Sequence, residues 1–290
     1  MLATTANSVI AAGCLDKMQI IPGVAADAPA IYTLPLGDAR VPLNEWIGKK
    51  IRLRFTGAIR CTHCNRKTRT SFNQGYCFPC FKALAQCDSC IMSPEKCHFH
   101  LGTCREPDWA ETHCKTDHIV YLANASGVKV GITRASQMPT RWLDQGAIQA
   151  LPIARVAERY LSGLVEVLCK DFVADKTNWR ALLRGDTPLV DLIASRDKLL
   201  DETNTGVAKL QAQHGVAAIQ LLPDAEELRF MYPVLRYPEK INTFNFDKES
   251  VIESELLGIK GQYLLFAEGA LNIRKFTAYE VEMSIDMGNT

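Results

Sequence analysis

The sequence predicts an α+β protein in which terminal β-strands bracket a cysteine-rich metal module and a compact α/β domain. Three observations predict it. CxxC pairs crowd the stretch from Cys61 to Cys114. HIVYLANASGVKVGITR, from His118 to Arg134, reads as a hairpin, and helix and strand alternate after it. Both chain ends alternate apolar and polar side chains, the period of half-buried strands. With 290 residues, 47% of them hydrophobic, the chain is long enough for two or three domains and apolar enough to pack them.

Residues 1–58 form the first β segment. KKIRLRFTGAI alternates apolar and charged residues, and GDARVPLNEW before it is turn-like. Residues 241–290 match it in character. GQYLLFAEGALNIRKFTAYEVEM reads as two strands joined by a turn near Glu268 and Gly269, with a third strand after them. The two ends are expected to pair into one small β barrel or sandwich. Between them lie a metal module (59–116), an α/β domain (117–185) and a helical connector (186–240). In the α/β domain, HIVYLANA and VKVGITR are strands around a Ser126-Gly127 turn, TRWLDQGA is a short helix, and AIQALPIARVA is a third strand. A long helix follows, broken near Asp175, with Leu161, Leu164, Leu168 and Phe172 facing the core. The connector is helical with an interruption at TNTG, and MYPVLRYPEKINTF leads back to the β-rich end.

The cysteines carry the clearest chemistry. Nine of eleven fall between Cys61 and Cys114. A disulfide framework suits small secreted domains, and a redox motif needs only one CxxC. Here Cys61/Cys64 and Cys77/Cys80 have the spacing C-x2-C-x12-C-x2-C, which looks like a zinc ribbon: two tight turns converge four thiolates on one ion. A second site draws on Cys87, Cys90, Cys97, His98, Cys104 and Cys114, with His100, His113 and His118 nearby. Cys87, Cys90, Cys104 and Cys114 make one closed set; Cys97 and His98 replace a pair or begin a third site. Interleaving of the first CxxC with Cys87 and Cys90 also fits the spacing. Two or three structural zinc ions are expected.

Net charge is only +1, but from Trp46 to Gln86 there is no acid and there are nine bases. Lys49, Lys50, Arg52, Arg54, Arg66, Lys67 and Arg69 are the candidate nucleic-acid contacts. The structural alternative is balance by thiolates or by acids brought near in space. No apolar run spans a bilayer, and MLATTANSVIAAGC lacks a basic n-region, so a cytoplasmic protein without membrane contact is expected.

The order of hairpin, short helix, strand and helix over residues 118–180 resembles the GIY-YIG nuclease domain. Ile119-Val120-Tyr121 lies at its first motif and Lys129-Val130-Gly131 at its second, with Ile119 in place of Gly and Lys129 in place of Tyr. The resemblance implies an arginine role for Arg141, with Arg134 as competitor, a metal-binding role for Glu166 and a closing role for Asn178. The catalytic candidates are therefore Tyr121, Lys129, Arg141, Glu166 and Asn178, with Mg²⁺ or Mn²⁺ at Glu166 for phosphodiester cleavage. Each has a structural alternative: Tyr121 in the core, Lys129 on a solvent-facing strand, Arg141 paired with Asp144, Glu166 with Lys170, Asn178 as a cap. Arg141, Trp142, Trp179 and Arg180 combine cations with rings that stack on bases or pack helices. Most of residues 10–282 is also similar to a bacterial family of unknown function, through SFNQGYCFPC, GTCREP, PTRWLDQGA and DKTNWR. The expected function is a zinc-binding, nucleic-acid-interacting protein with a GIY-YIG-like endonuclease domain. A non-catalytic nucleic-acid-binding module and a zinc-stabilised scaffold for a protein partner are the alternatives.

Overall fold

A computed structural model describes residues 8–25, 27–173, 178–238 and 241–285. In chain order the strands are β1 (Ser8–Cys14), β2 (Gln19–Ile21), β3 (Ile31–Leu36), β4 (Ala39–Pro42), β5 (Lys50–Arg60), β6 (Lys67–Thr68), β7 (His118–Asn124), β8 (Val128–Arg134), β9 (Gln149–Val156), β10 (Ile219–Leu221), β11 (Leu228–Arg229), β12 (Val251–Lys260), β13 (Tyr263–Phe266), β14 (Gly269–Asn272) and β15 (Tyr279–Ile285). The helices are α1 (Phe78–Ala83), α2 (Pro107–His113), α3 (Thr140–Asp144), α4 (Arg159–Lys170), α5 (Trp179–Arg184) and α6 (Leu192–His214). The chain divides into two compact units. Unit 1 comprises 1–81, 183–185 and 231–290; unit 2 comprises 82–182 and 186–230. The architecture is α+β with three antiparallel sheets.

In unit 1 the chain ends do pair. The strand order β1-β15-β5-β12-β13-β14, with β6 added beside β5, forms a seven-stranded sheet; β2, β3 and β4 form a separate three-stranded sheet. Strand β5 is central because its alternation serves two neighbours at once. Ile51 and Leu53 are buried, while Lys50, Arg52 and Arg54 point the other way and meet acids from β12 and β15. The GDARVPLNEW stretch holds strand β4 and a 3-10 turn at Asn44–Trp46 rather than a plain turn. Asn44 explains the difference: its side chain accepts from the Tyr32 amide and donates to the Ala30 carbonyl, tying the segment to β3.

Unit 2 is built on the sheet β10-β9-β7-β8, with β11 also on β9. Every residue of β7 is buried. One face of the sheet presents Val120, Leu122 and Val130 to Leu161 and Val165 of α4 and to Leu199 and Val207 of α6. Leu164 and Leu168 pack at the edge of that core, whereas Phe172 lies beyond the end of α4 and is 51% exposed. The expected helix break at Asp175 lies outside the described residues. The expected break at TNTG is absent: α6 is continuous through it. Thr203 is accommodated by a hydroxyl bond to the Leu199 carbonyl at 2.7 Å. Gly206 lets α6 approach α4, since a Cβ there would lie 2.9 Å from Leu168. Trp142 is fully buried against Tyr121 and Phe230, so it packs the unit and offers no ring to a base. No described helix is long and apolar enough to cross a membrane.

His118, the first residue of β7, is fully buried. Its Nδ1 donates to the Thr116 carbonyl at 2.7 Å, and its Nε2 has no hydrogen-bond partner among the described residues. Burial, helped by the nearby Arg159 and Arg134 charges, pushes its pKa down to about 4. The fold therefore holds a neutral imidazole, and the unfolded chain binds the extra proton between the usual value and pH 4. Stability is full above about pH 6.5 and falls as pH drops toward 4, by up to about 3 kcal/mol from this group. In urea unfolding measured from pH 7 to pH 4, His118→Gln is expected to flatten that slope; an unchanged slope contradicts the assignment.

Candidate metal centre and tyrosine–arginine cluster

Among the described residues, two groups of side chains lie close enough to share an ion. The first is Cys61, Cys64, Cys77 and Cys80, whose sulfurs all lie within 4.8 Å of one another. Cys61 directly follows β5, and the chain returns as β6, pairing Lys67 with Arg60. Between them a knuckle closes by Asn65 N–H to the Cys61 carbonyl and Cys61 N–H to the Arg66 carbonyl. Cys64 and Cys77 sulfurs are 3.7 Å apart. A tetrahedron with Zn–S bonds of about 2.3 Å has S···S edges of about 3.8 Å, so the donor set fits such an ion. The electrostatics agree. Burial raises the Cys61 thiol, but the backbone N–H groups of Cys64, Cys77 and His63 outweigh it and bring its pKa down to about 6. Cys80 is pushed up by burial and by the thiols of Cys77, Cys64 and Cys61. The pairing of the first two CxxC motifs is therefore direct, with no interleaving with Cys87 and Cys90.

The second group, in unit 2, is Asp88, Cys90 and His98. It differs from the all-cysteine set the spacing suggested. Cys87 ends a 3-10 turn with its side chain buried and stands outside both groups. Asp88 sits inside the C-x2-C of Cys87 and Cys90, and a search confined to Cys and His passes over it. Its carboxylate meets Arg105 Nε at 2.7 Å and His98 Nε2 at 3.5 Å. Burial works against its charge, but the Ser89 hydroxyl, Arg105 and backbone N–H groups hold its pKa below the usual value. Cys97, Cys104 and Cys114 fall outside the group but act on it. Burial, then Asp88, Cys97 and Cys114, raises Cys90 to about 11. Cys114 is raised by burial and by Cys97 and Cys104, against Arg159.

The candidate catalytic residues come together in part. Tyr121 is fully buried, and its hydroxyl donates to Gln145 Oε1 at 3.1 Å. Its ring lies over Gly131, the residue opposite it on β8; a Cβ on Gly131 would stand 2.8 Å from the hydroxyl. Burial raises the phenol pKa, while Arg141 and Gln145 act to lower it and Glu166 to raise it. Tyr121 is thus a protonated donor at neutral pH, with Arg141 and Glu166 close enough to feel its charge. Lys129, two residues before Gly131, shares that sheet face and is buried rather than solvent-facing. Glu166 pairs with Lys170 at 3.4 Å, as the i,i+4 spacing allows. Asn178 is used elsewhere: its side-chain oxygen accepts from the Arg180 and Ala181 amides and caps α5. Two residues were not anticipated, Gln145 and the half-buried Arg159, which senses Cys114, Cys90, Arg141 and Glu166.

A family profile described as "Protein of unknown function (DUF2797)" matches residues 48–281. The chain belongs to the DUF2797 family. No curated protein and no solved structure matches. The DUF2797 region contains both candidate metal groups, the tyrosine–arginine cluster and the basic stretch.

Along that basic stretch the DUF2797 chain is not uniformly charged in space. Lys50 and Arg52 meet Glu253, Arg54 meets Glu282, and Arg60 meets Glu280. Lys49 lies over the Trp46 ring at 4.8 Å. Arg66, Lys67 and Arg69 stand exposed on the knuckle, and no carboxylate pairs with them among the described residues. The alternative of acids brought near in space thus holds for Lys50, Arg52 and Arg54 and stops at Cys61.

Elemental analysis of the purified DUF2797 protein is expected to find a tightly held metal ion. Cys64→Ser should release one ion per chain and strip hydrogen-exchange protection from Lys67 and Thr68. A folded wild-type protein free of metal, with the four sulfurs in disulfides, would rule the centre out.

Proposed function

We propose that the protein is a zinc-stabilised nucleic-acid-binding protein that grips the phosphate backbone without cutting it. One observation carries the reading: three exposed cations, Arg66, Lys67 and Arg69, on the four-cysteine knuckle, with no acidic partner among the described residues. Zinc suits four thiolates, which close its tetrahedron and leave no open position for chemistry. Such a centre carries about −2, so the three cations leave the knuckle positive. Unmatched cations favour a polyanion because binding releases its condensed counterions. The tyrosine–arginine cluster favours binding over cleavage. Tyr121 is closed off from solvent, its phenol is held protonated, and Glu166 is already paired.

One observation favours a second reading, metal-dependent phosphodiester cleavage. Arg141 and Glu166 both act on the Tyr121 hydroxyl, the residue types that the GIY-YIG resemblance implies. Mg²⁺ or Mn²⁺ would supply charge to a phosphate oxygen there. Glu166 would be its protein ligand, Arg141 would hold the phosphate, and Lys129 would add a second cation on the same sheet face.

Binding to single-stranded DNA and RNA, measured across salt concentrations, tests the first reading. Replacing Arg66, Lys67 and Arg69 together by Ala is expected to reduce the salt slope by roughly 2, at about 0.7 per phosphate contact. An unchanged slope rejects the knuckle as the contact, and no binding at all leaves the scaffold reading.

The second reading is tested by incubating labelled strands with Mg²⁺ or Mn²⁺. No cleavage is expected. Cleavage that Glu166→Ala abolishes at constant zinc content would replace binding by catalysis.

A further inference from the structure

Unit 1 contains a cavity of about 970 Å³ beside the knuckle. That is near the top of the range of about 300–1,000 Å³ for small-ligand sites. Its apolar lining is Phe55, Ile59 and Phe246. These rings belong to a fixed aromatic cluster: Phe55 lies 4.9 Å from Tyr279 and 6.2 Å from Phe246, and Phe246 lies 5.0 Å from Phe276. Its cationic lining is Lys67, Arg69 and Lys248. None of the three is ion-paired among the described residues. The cavity's one carboxylate, Asp247, accepts the Tyr279 hydroxyl bond at 2.8 Å. The contrast with the rest of β5 is sharp, because Lys50, Arg52, Arg54 and Arg60 all have acidic partners. At Gly57 the wall faces open space, since a Cβ there would meet nothing within 4 Å.

We propose that this cavity holds a single nucleotide unit, with its base against the half-buried Phe55 ring and its phosphate on Lys67, Arg69 and Lys248. The proposal rests on the nucleic-acid reading and narrows it to one unit of the strand. An apolar lining beside a group of unmatched cations suits a flat, weakly polar body that carries a phosphate. Lys67 and Arg69 lie between Cys64 and Cys77 in the chain, so the metal centre fixes the cationic wall.

The test is titration of the full-length, metal-loaded protein with AMP, adenosine and a single-stranded oligonucleotide. AMP is expected to bind with Kd below about 1 mM, and adenosine at least about tenfold more weakly. Lys248→Ala, and Lys67→Ala with Arg69→Ala, should each weaken AMP about tenfold with metal content unchanged, while Arg229→Ala, in unit 2, should leave it unaltered. Equal affinity for adenosine and AMP overturns the phosphate assignment. Oligonucleotide binding without AMP binding overturns the cavity and leaves the nucleic-acid reading standing. Failure of both ligands removes both.

Discussion

Four sulfurs within 4.8 Å of one another are a charge problem that the protein alone does not solve. The backbone prepares one anion, by aiming N–H groups at Cys61, while burial and the neighbouring thiols oppose the charge on Cys80. A divalent cation would remove the conflict and turn it into a clamp. The clamp matters because of where it sits. Cys61 continues directly from β5, the strand that joins β15 on one side to β12 on the other. The knuckle therefore ends the strand that ties the two terminal segments into one sheet.

Unit 2 poses a different problem, burial of polar groups. Tyr121 finds room only because Gly131 has no side chain, and its hydroxyl is satisfied by Gln145. Arg159 is harder to accommodate. Its Nη2 donates to the Ile91 carbonyl and its backbone N–H to the Cys114 carbonyl, yet its buried Nε has no hydrogen-bond partner among the described residues. Burial lowers its pKa, and negative charge on Cys114, Cys90 and Glu166 opposes that shift. One guanidinium thus responds both to the thiol-rich turns and to the tyrosine cluster. The thiol-rich turns and the tyrosine cluster fall in the same compact unit.

What was legible in the sequence was periodic or closely spaced. The alternation of β5, the hairpin of β7 and β8, the terminal strands and the pairing of Cys61/Cys64 with Cys77/Cys80 all follow from patterns a few residues long. What was not legible depends on partners far away. Glu282 answers Arg54 across 228 positions and Glu280 answers Arg60 across 220. No local pattern shows that these acids neutralise the basic strand. The TNTG stretch of α6 looked like a break because its propensities are poor, and packing of Gly206 on Leu168 overrode them. Asp88 was hidden by its type: a carboxylate inside a CxxC pair is not expected among thiol ligands. Trp142 was ambiguous, since aromatic side chains serve cores and base stacking alike, and burial decided for the core.

Cations matched by acids and cations without them are distributed unevenly between β5 and the knuckle. Exposed ion pairs such as Lys50–Glu253 contribute about 0–1 kcal/mol each, so they do little for stability. Their effect is on what can bind. A phosphate approaching Arg52 or Arg54 meets the carboxylate already there and gains little. Past Cys61 the chain turns through the knuckle and returns only as the two-residue β6, where Lys67 faces Arg60 rather than an acid, and Arg66, Lys67 and Arg69 have no carboxylate partner among the described residues. The four-cysteine knuckle thus carries three exposed cations that, among the described residues, have no acidic partner, in contrast to the matched charges of β5.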